Sequence, residues 1–309
     1  MAAVSAVKVL AYVHTYNSAD VIDATVAALC RQTYPVPEIL LVDNASSDGT
    51  ADRAFPQQVT LIRNSRNLGT SGAVAVGMAY ALAHGYDWIY IVDADSTAEP
   101  DAIEQLVACY LGLAPELRAS TWRLNSLPRD SSTGFLHHGG VFTRRGVRML
   151  SPPPQPSRYR CDAQIWSGSL YRLDAASKVG FPDPNYIIDW DDMIYGYQGM
   201  LRGYTTFVEQ SSIVMHNMHV TRKRNLLARI RHVYCAAPLR AYYFWRNGTY
   251  FWLYQYRRTH SSMAIVNHCL RFCLWLIRLV LFQRPLGPSL RACLRGTWEG
   301  INGRIENRY

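Results

Sequence analysis

Short apolar runs alternate with helical stretches through the first hundred residues. Val7–Val13 is the first such run, broken only by Lys8, and it closes on His14-Thr15-Tyr16-Asn17. Ser18 is a good N-cap for a helix from about Ala19 to Gln32. Glu38–Val42 is the second apolar run, followed by Asp43-Asn44-Ala45-Ser46-Ser47-Asp48-Gly49-Thr50, and Val59–Ile62 is the third. Asn67–Gly72 opens a helix that continues to about Ala83, and Asp87–Val92 ends in Asp93-Ala94-Asp95. Strands that read as continuous apolar runs and alternate with helices predict an α/β fold, with a parallel sheet covered on both faces.

The middle of the chain is less regular. Residues 151–157 are too rich in proline for a helix or a central strand. Arg172–Gly180 predicts a short helix stopped by Gly180 and Pro182, and Met193–Met200 another. Beyond about residue 221 the pattern turns helical and basic. The expected division is therefore a catalytic body at 1–220 and a basic, aromatic-rich helical region at 221–309.

Charge sharpens that division. The net charge of +9 comes from 32 basic and 23 acidic residues. Residues 221–309 hold 16 Lys and Arg against Glu299 and Glu306, or +14, which leaves 16 against 21, or −5, for residues 1–220. An acidic body with a basic tail suggests two jobs. The seven cysteines are an odd number with no CxxC pair, which predicts a reduced, cytosolic protein without a disulfide frame or zinc site. The N-terminus lacks a basic segment before an apolar one, so no signal peptide is expected.

The chemistry concentrates at the predicted strand ends, where open α/β sheets bind their ligands. Asp93 and Asp95 supply hard oxygens suited to Mg²⁺ or Mn²⁺, although Asp-x-Asp also serves as plain turn chemistry. Thr15, Tyr16 and Asn17, Asp43 and Asn44, and Arg66 and Asn67 line the same rim, together with Ala94. A nucleotide there needs a carboxylate, an aromatic face and positive charge, for which Asp43, Tyr16 and Arg66 are candidates. Gly69 and Gly72 either admit a phosphate to a helix N-terminus or allow tight helix–sheet packing. Asp189-Trp190-Asp191-Asp192 is a second acidic cluster; like charges raise one pKa and help a general base, while the plainer alternative is a set of acids at a helix N-terminus. His216 and His219 follow the run 212–215, and His216 is a candidate third metal ligand.

In order, Val-Leu-Ala-Tyr-Val-His-Thr-Tyr-Asn, Leu-Val-Asp-Asn-Ala-Ser-Ser-Asp-Gly-Thr, Asn-Leu-Gly-Thr-Ser-Gly and Val-Asp-Ala-Asp resemble glycosyltransferase family 2. The resemblance covers roughly the first 220 residues and implies the GT-A fold, a Rossmann-like central sheet. It is strongest to bacterial rhamnosyltransferases and galactofuranosyltransferases of surface polysaccharide assembly. It implies a metal at Asp93 and Asp95 with His216, a donor nucleoside at Asp43, and Asp192 as catalytic base beside Asp191. Trp166 and Trp190 are the aromatic candidates for the acceptor. Two departures stand out: the glutamate expected two residues after the paired aspartates is Ile194, and the Gln-x-x-Arg-Trp motif of processive synthases is absent.

The implied activity is metal-dependent, inverting transfer of a sugar from a UDP- or dTDP-linked donor to a lipid-linked or polysaccharide acceptor. The tail mixes arginine with Tyr242–Trp245, Tyr250–Trp252 and Phe272–Phe282, an apolar run shorter than the ~20 residues of a spanning helix. A helix lying on an anionic membrane at the cytosolic face of the inner membrane fits it. Packing on the catalytic body or on a second subunit of a homo-oligomer is the alternative. No nucleic-acid motif appears. Two other functions compete: a sugar-phosphate nucleotidyltransferase, disfavoured because His14–Asn17 is no glycine-rich loop, and a non-catalytic membrane module.

Overall fold

The structure, a computed structural model, describes residues 7–151, 158–217, 237–258, 262–282 and 286–306. Most of the proline-rich loop, His219 and the basic run 218–236 lie outside these residues. The elements run β1 (Val9–Thr15), α1 (Ile22–Cys30), β2 (Ile39–Asp43), β3 (Val59–Arg63), α2 (Gly69–Ala83), β4 (Trp88–Asp93) and β5 (Ser96–Ala98). Next come α3 (Ala102–Leu111), α4 (Pro115–Ser120), β6 (Thr121–Asp130), β7 (Gly140–Thr143), β8 (Gly146–Met149) and β9 (Arg158–Arg160). The chain continues through β10 (Ser169–Arg172), α5 (Leu173–Val179), α6 (Asp191–Leu201), β11 (Thr205–His216), α7 (Pro238–Tyr250), α8 (Met263–Phe282) and α9 (Leu286–Ile301).

The predicted α/β sheet is present, with strand order β3-β2-β1-β4-β10-β6-β11-β5. β3, β2, β1 and β4 are mutually parallel, and β6 and β11 are parallel to each other. β10 runs antiparallel between β4 and β6. The apolar runs fill two layers, as strands buried on both faces must. Ile22, Val26 and Leu29 of α1 and Ile103 and Leu106 of α3 pack on one face of the sheet, and Val74 and Met78 of α2 with Tyr195 of α6 pack on the other. The order of the first four strands reverses between β1 and β4, a topological switch point where an open sheet leaves a crevice.

Some boundaries differ from the sequence reading for local reasons. The first helix starts at Ile22 rather than Ala19. The amides of Ser18 and Ala19 bond instead to Thr50 Oγ1 and Asp48 Oδ2, tying the end of β1 to the loop after β2. The helix read as 193–200 begins at Asp191.

The C-terminal helices share a core with the sheet region. Phe251, Trp252, Tyr256 and Ile305 cluster with Tyr186, Trp190, Ile194 and Tyr197. On α8 the inward face buries Ala264, His268 and Leu279, and Trp245 of α7 meets Phe272 and Trp275 edge-on. The outward face is apolar too: Met263, Val266, Leu270, Leu274 and Ile277, spaced three or four apart, are all exposed. Among the described residues, no helix is long and apolar enough to cross a membrane.

Candidate active site

Four strand ends converge on one rim. Thr15 of β1 is in register with Asp43 of β2, and His14 with Asp93 of β4. His216 of β11 is paired with Ser96 of β5 and with Asp130 of β6. A strand that ends in a polar residue places that residue at the rim while its apolar part stays in the core. The sequence therefore builds the site by where each apolar run stops.

Asp93, Asp95 and His216 each direct one ligand atom into a group whose members lie within 4.8 Å of one another. His216 Nδ1 lies 2.8 Å from Ser96 Oγ and 3.3 Å from Asp95 Oδ1, and Nε2 is 3.8 Å from Asp93 Oδ2. Ser167 Oγ donates to Ser96 Oγ at 2.6 Å and accepts from the Asp93 amide at 3.2 Å, so one serine links both sides of the cluster. His14 Nε2 sits 3.2 Å from Asp93 Oδ1. Burial alone would raise the pKa of Asp93; the hydrogen bond and charge of His14, then the charge of His216, outweigh it and lower the pKa. Burial would lower that of His216, but Asp95 and Asp93 raise it. Two carboxylates and an imidazole that each offer a ligand atom to one small space fit a divalent cation such as Mn²⁺ or Mg²⁺.

Beside this cluster, Asp43 is buried, accepts from the Ser46 amide through Oδ2 at 3.1 Å, and leaves Oδ1 without a partner. Thr15 Oγ1 is likewise buried and unpartnered. Buried polar atoms of this kind call for an explanation, and a bound ligand is one. Tyr16 and Arg66 are exposed near this rim. Asn17 carries a left-handed φ of 50° and accepts from the Ser47 amide at 2.9 Å, joining two loops.

Other candidates are occupied internally. Asn44 donates to Gly69 O at 3.2 Å and accepts from Asn64 at 2.9 Å, while Asn67 accepts from the Gly69 amide at 2.8 Å. Gly69 has φ +71°, and a Cβ there would lie 2.5 Å from the Ile187 backbone. At Gly72 it would meet the Leu68 side chain at 2.7 Å. The close approach that these glycines permit in this structure is to the loop backbone at Ile187 and to the Leu68 side chain. The Thr70 amide, in the first turn of α2, is also spent on Ile187 O at 2.7 Å.

Asp191 and Asp192 open α6. Trp166, buried among Tyr171 and Tyr195, donates its Nε1–H to Asp191 Oδ2 at 2.8 Å. Trp166 is therefore a support for Asp191 rather than an open platform for an acceptor. Trp190 is also packed away, against Phe244, Phe251 and Trp252. Burial raises both carboxylates. Asp191 is pushed well up, next by the charge of Asp192; Asp192 reaches about 6, held back by Arg123. Asp191 is buried and Asp192 half-buried, so Asp192 is the member of the pair that is open to solvent.

Sequence reasoning missed Arg123, Ser96, Ser167 and the contact of His14 with Asp93. Arg123 is fully buried in β6 and donates from Nη2 to Gln164 O, Ile165 O and Ser169 Oγ at 2.7–2.8 Å. A lone arginine between Trp122 and Leu124 in a buried strand was its available signal, because a buried charge needs partners.

Residues 11–111 match the family described as Glycosyl transferase family 2. Galactofuranosyltransferase GlfT1 of Mycobacterium tuberculosis is 27% identical over 194 residues, covering 60% of this chain and 62% of its relative. The undecaprenyl-phosphate mannosyltransferase of Micrococcus luteus is 31% identical over 105 residues, covering 32% of this chain and 43% of its own. The chain thus spans about three fifths of the GlfT1 length. Among solved structures, GalNAc-T7 with UDP, GalNAc and Mn²⁺ superposes with a TM-score of 0.60 at 16% identity, covering 82% of this chain and 49% of that one. S. aureus TarS in complex with UDP-GlcNAc gives 0.53 at 15% identity, covering 96% and 82%. The chain carries a glycosyl transferase family 2 domain and has the fold of the GT-A glycosyltransferases.

Proposed function

We propose that the protein is a metal-dependent, inverting glycosyltransferase that moves a sugar from a nucleotide diphosphate to a hydroxyl of a lipid-linked acceptor. The observation that carries this reading is the cluster Asp93, Asp95 and His216 at the strand ends, with the paired carboxylates Asp191 and Asp192 at the start of α6 near enough for the charge of Asp93 to act on Asp192. Asp43 Oδ1 and Thr15 Oγ1 are the groups offered to the nucleoside, with Tyr16 and Arg66 at the open side. Asp93, Asp95 and His216 would hold Mn²⁺ or Mg²⁺, which when bound supplies positive charge to the leaving diphosphate. Asp192 takes the proton of the acceptor hydroxyl as its oxygen bonds to the anomeric carbon. The bond to the diphosphate breaks on the opposite face, so configuration inverts.

Galactofuranose is favoured over rhamnose by the likeness to GlfT1, and a UDP donor by the UDP-bound neighbours. Calorimetry with Mn²⁺ is expected to show UDP binding and much weaker dTDP binding. Preference for dTDP would point to rhamnose, and absence of metal-dependent binding to either would sink the donor assignment.

The acceptor side rests on α8. Its exposed stripe of Met263, Val266, Leu270, Leu274 and Ile277, with Arg271 of α8 and Arg291 of the following α9 also exposed, suits a helix lying in a membrane interface at the cytosolic face. Burying a leucine is worth about 1.5–3 kcal/mol. Leu270→Glu with Leu274→Glu is therefore expected to lower co-sedimentation with phosphatidylglycerol vesicles at least tenfold while UDP binding stays unchanged. Equal sedimentation of variant and wild type would remove the membrane role.

A further inference from the structure

The turn that leads into Asp191 is held in a conformation it would not keep by itself. Asp189 and Trp190 have φ values of 61° and 71°, both left-handed and neither glycine. Side chains crowd the backbone there, and two in succession need outside support. That support comes from α7. Asn247 is fully buried, and its Nδ2 donates to the carbonyls of Ile188 and Asp189, each at 3.0 Å. Its amide orientation is fixed in turn, because Oδ1 accepts from Arg246 Nε at 2.9 Å. Arg246 Nη2 also reaches Asn185 O at 2.6 Å. Gly248 lets the Trp190 ring lie against bare backbone, since a Cβ would fall 2.8 Å from that ring. Arg240 grips the Asp189 carboxylate with contacts of 3.1–3.2 Å. Trp190 O then accepts from the Ile194 amide at 2.8 Å, which starts α6 and sets where Asp191 and Asp192 point.

We propose that Asn247 is a positioning residue for the acceptor-side base: by holding the two carbonyls that precede Trp190, it sets the direction in which α6 presents Asp192. The inference rests on reading Asp192 as the base. It reaches beyond the family match, which ends at residue 111, and it makes the C-terminal region part of the reaction site as well as a membrane contact.

The test is Asn247→Asp in the full chain. The variant keeps the shape and the acceptor for Arg246 but turns a carboxylate toward two carbonyls. Hydrogen exchange of amides 185–195 is expected to rise at least tenfold, with amides 88–98 unchanged. UDP release from UDP-galactofuranose should fall at least tenfold in kcat, while KM for the donor and Mn²⁺-dependent UDP affinity stay within twofold. A merely structural Asn247 would lower UDP affinity along with kcat, and that result overturns the proposal. So does unchanged exchange at 185–195, which is read on the protein alone whichever sugar is transferred. If Asn247→Asp does not fold, Arg240→Gln, at a half-exposed side chain, should show the same split at about threefold; equal loss of binding and turnover there overturns it as well. Asp192→Asn separates the two readings. Full turnover in Asp192→Asn removes the base, whereas an inactive Asp192→Asn beside a fully active Asn247→Asp removes only the positioning role.

Discussion

Asp192→Asn is expected to lower turnover by about 10²–10⁴-fold, the usual worth of a positioned general base. UDP affinity in the presence of Mn²⁺ should change less than twofold, because the asparagine keeps the shape and the donor groups sit at other strand ends. The effect belongs to proton transfer: an amide cannot accept the acceptor hydroxyl's proton. Burial raises the pKa of Asp192 to about 6, with the positive charge of Arg123 pulling the other way. The base works only when ionised. Wild-type kcat should therefore rise with pH through a limb near 6, above the ordinary carboxylate range, and level off beyond it. Arg123→Met would remove the charge that favours ionisation and should move that limb upward. An Asp192→Asn enzyme with wild-type kcat, or a limb near pH 4, would be incompatible with the base assignment.

What could be read in the sequence was what is local. The apolar runs ending at Thr15, Asp43 and Asp93 fix three strands and the residues at their tips, because a buried strand announces both its core and its end. Asp93-Ala94-Asp95 was visible for the same reason, and the acids after Trp190 as a cluster at a helix start. The rest of the site depends on contacts between distant parts of the chain. Ser96 and Ser167 look like ordinary hydroxyls until β5 and the loop before β10 bring them to His216 and Asp93. Asn247 lies in a helix that reads only as aromatic and basic, and its partners are carbonyls of Ile188 and Asp189, which have no sequence signature. Gly69 illustrates the converse: a glycine at a helix start is compatible with phosphate or with packing, and its close approach to Ile187 has no signature in the sequence.

Asp93→Asn combined with Asp95→Asn is expected to abolish metal-dependent UDP binding, leaving at most a weak, metal-independent affinity through the rim around Asp43 and Tyr16. Both changes keep the shape, so the sheet should stay intact, and a melting temperature close to wild type would verify it. Ser96→Ala offers a graded version. Ser96 Oγ shares a hydrogen bond with His216 Nδ1 at 2.8 Å and so fixes the imidazole ring, whose Nε2 lies 3.8 Å from Asp93 Oδ2. Losing such an outer partner typically costs 10–100-fold in metal affinity. The pH dependence follows from the same geometry. Burial opposes the imidazolium of His216, but the Asp95 hydrogen bond and the charges of Asp93 and Asp95 raise its pKa overall. A metal must displace that proton, so Mn²⁺-assisted UDP binding should weaken as pH falls, and the weakening should begin above pH 6.5, the ordinary imidazole value. In His216→Gln the proton competitor is gone, so the binding that remains should be weaker at neutral pH yet flatter between pH 6 and 8. Calorimetric titrations across that range distinguish the two, and a wild-type affinity independent of pH would exclude His216 from the metal site.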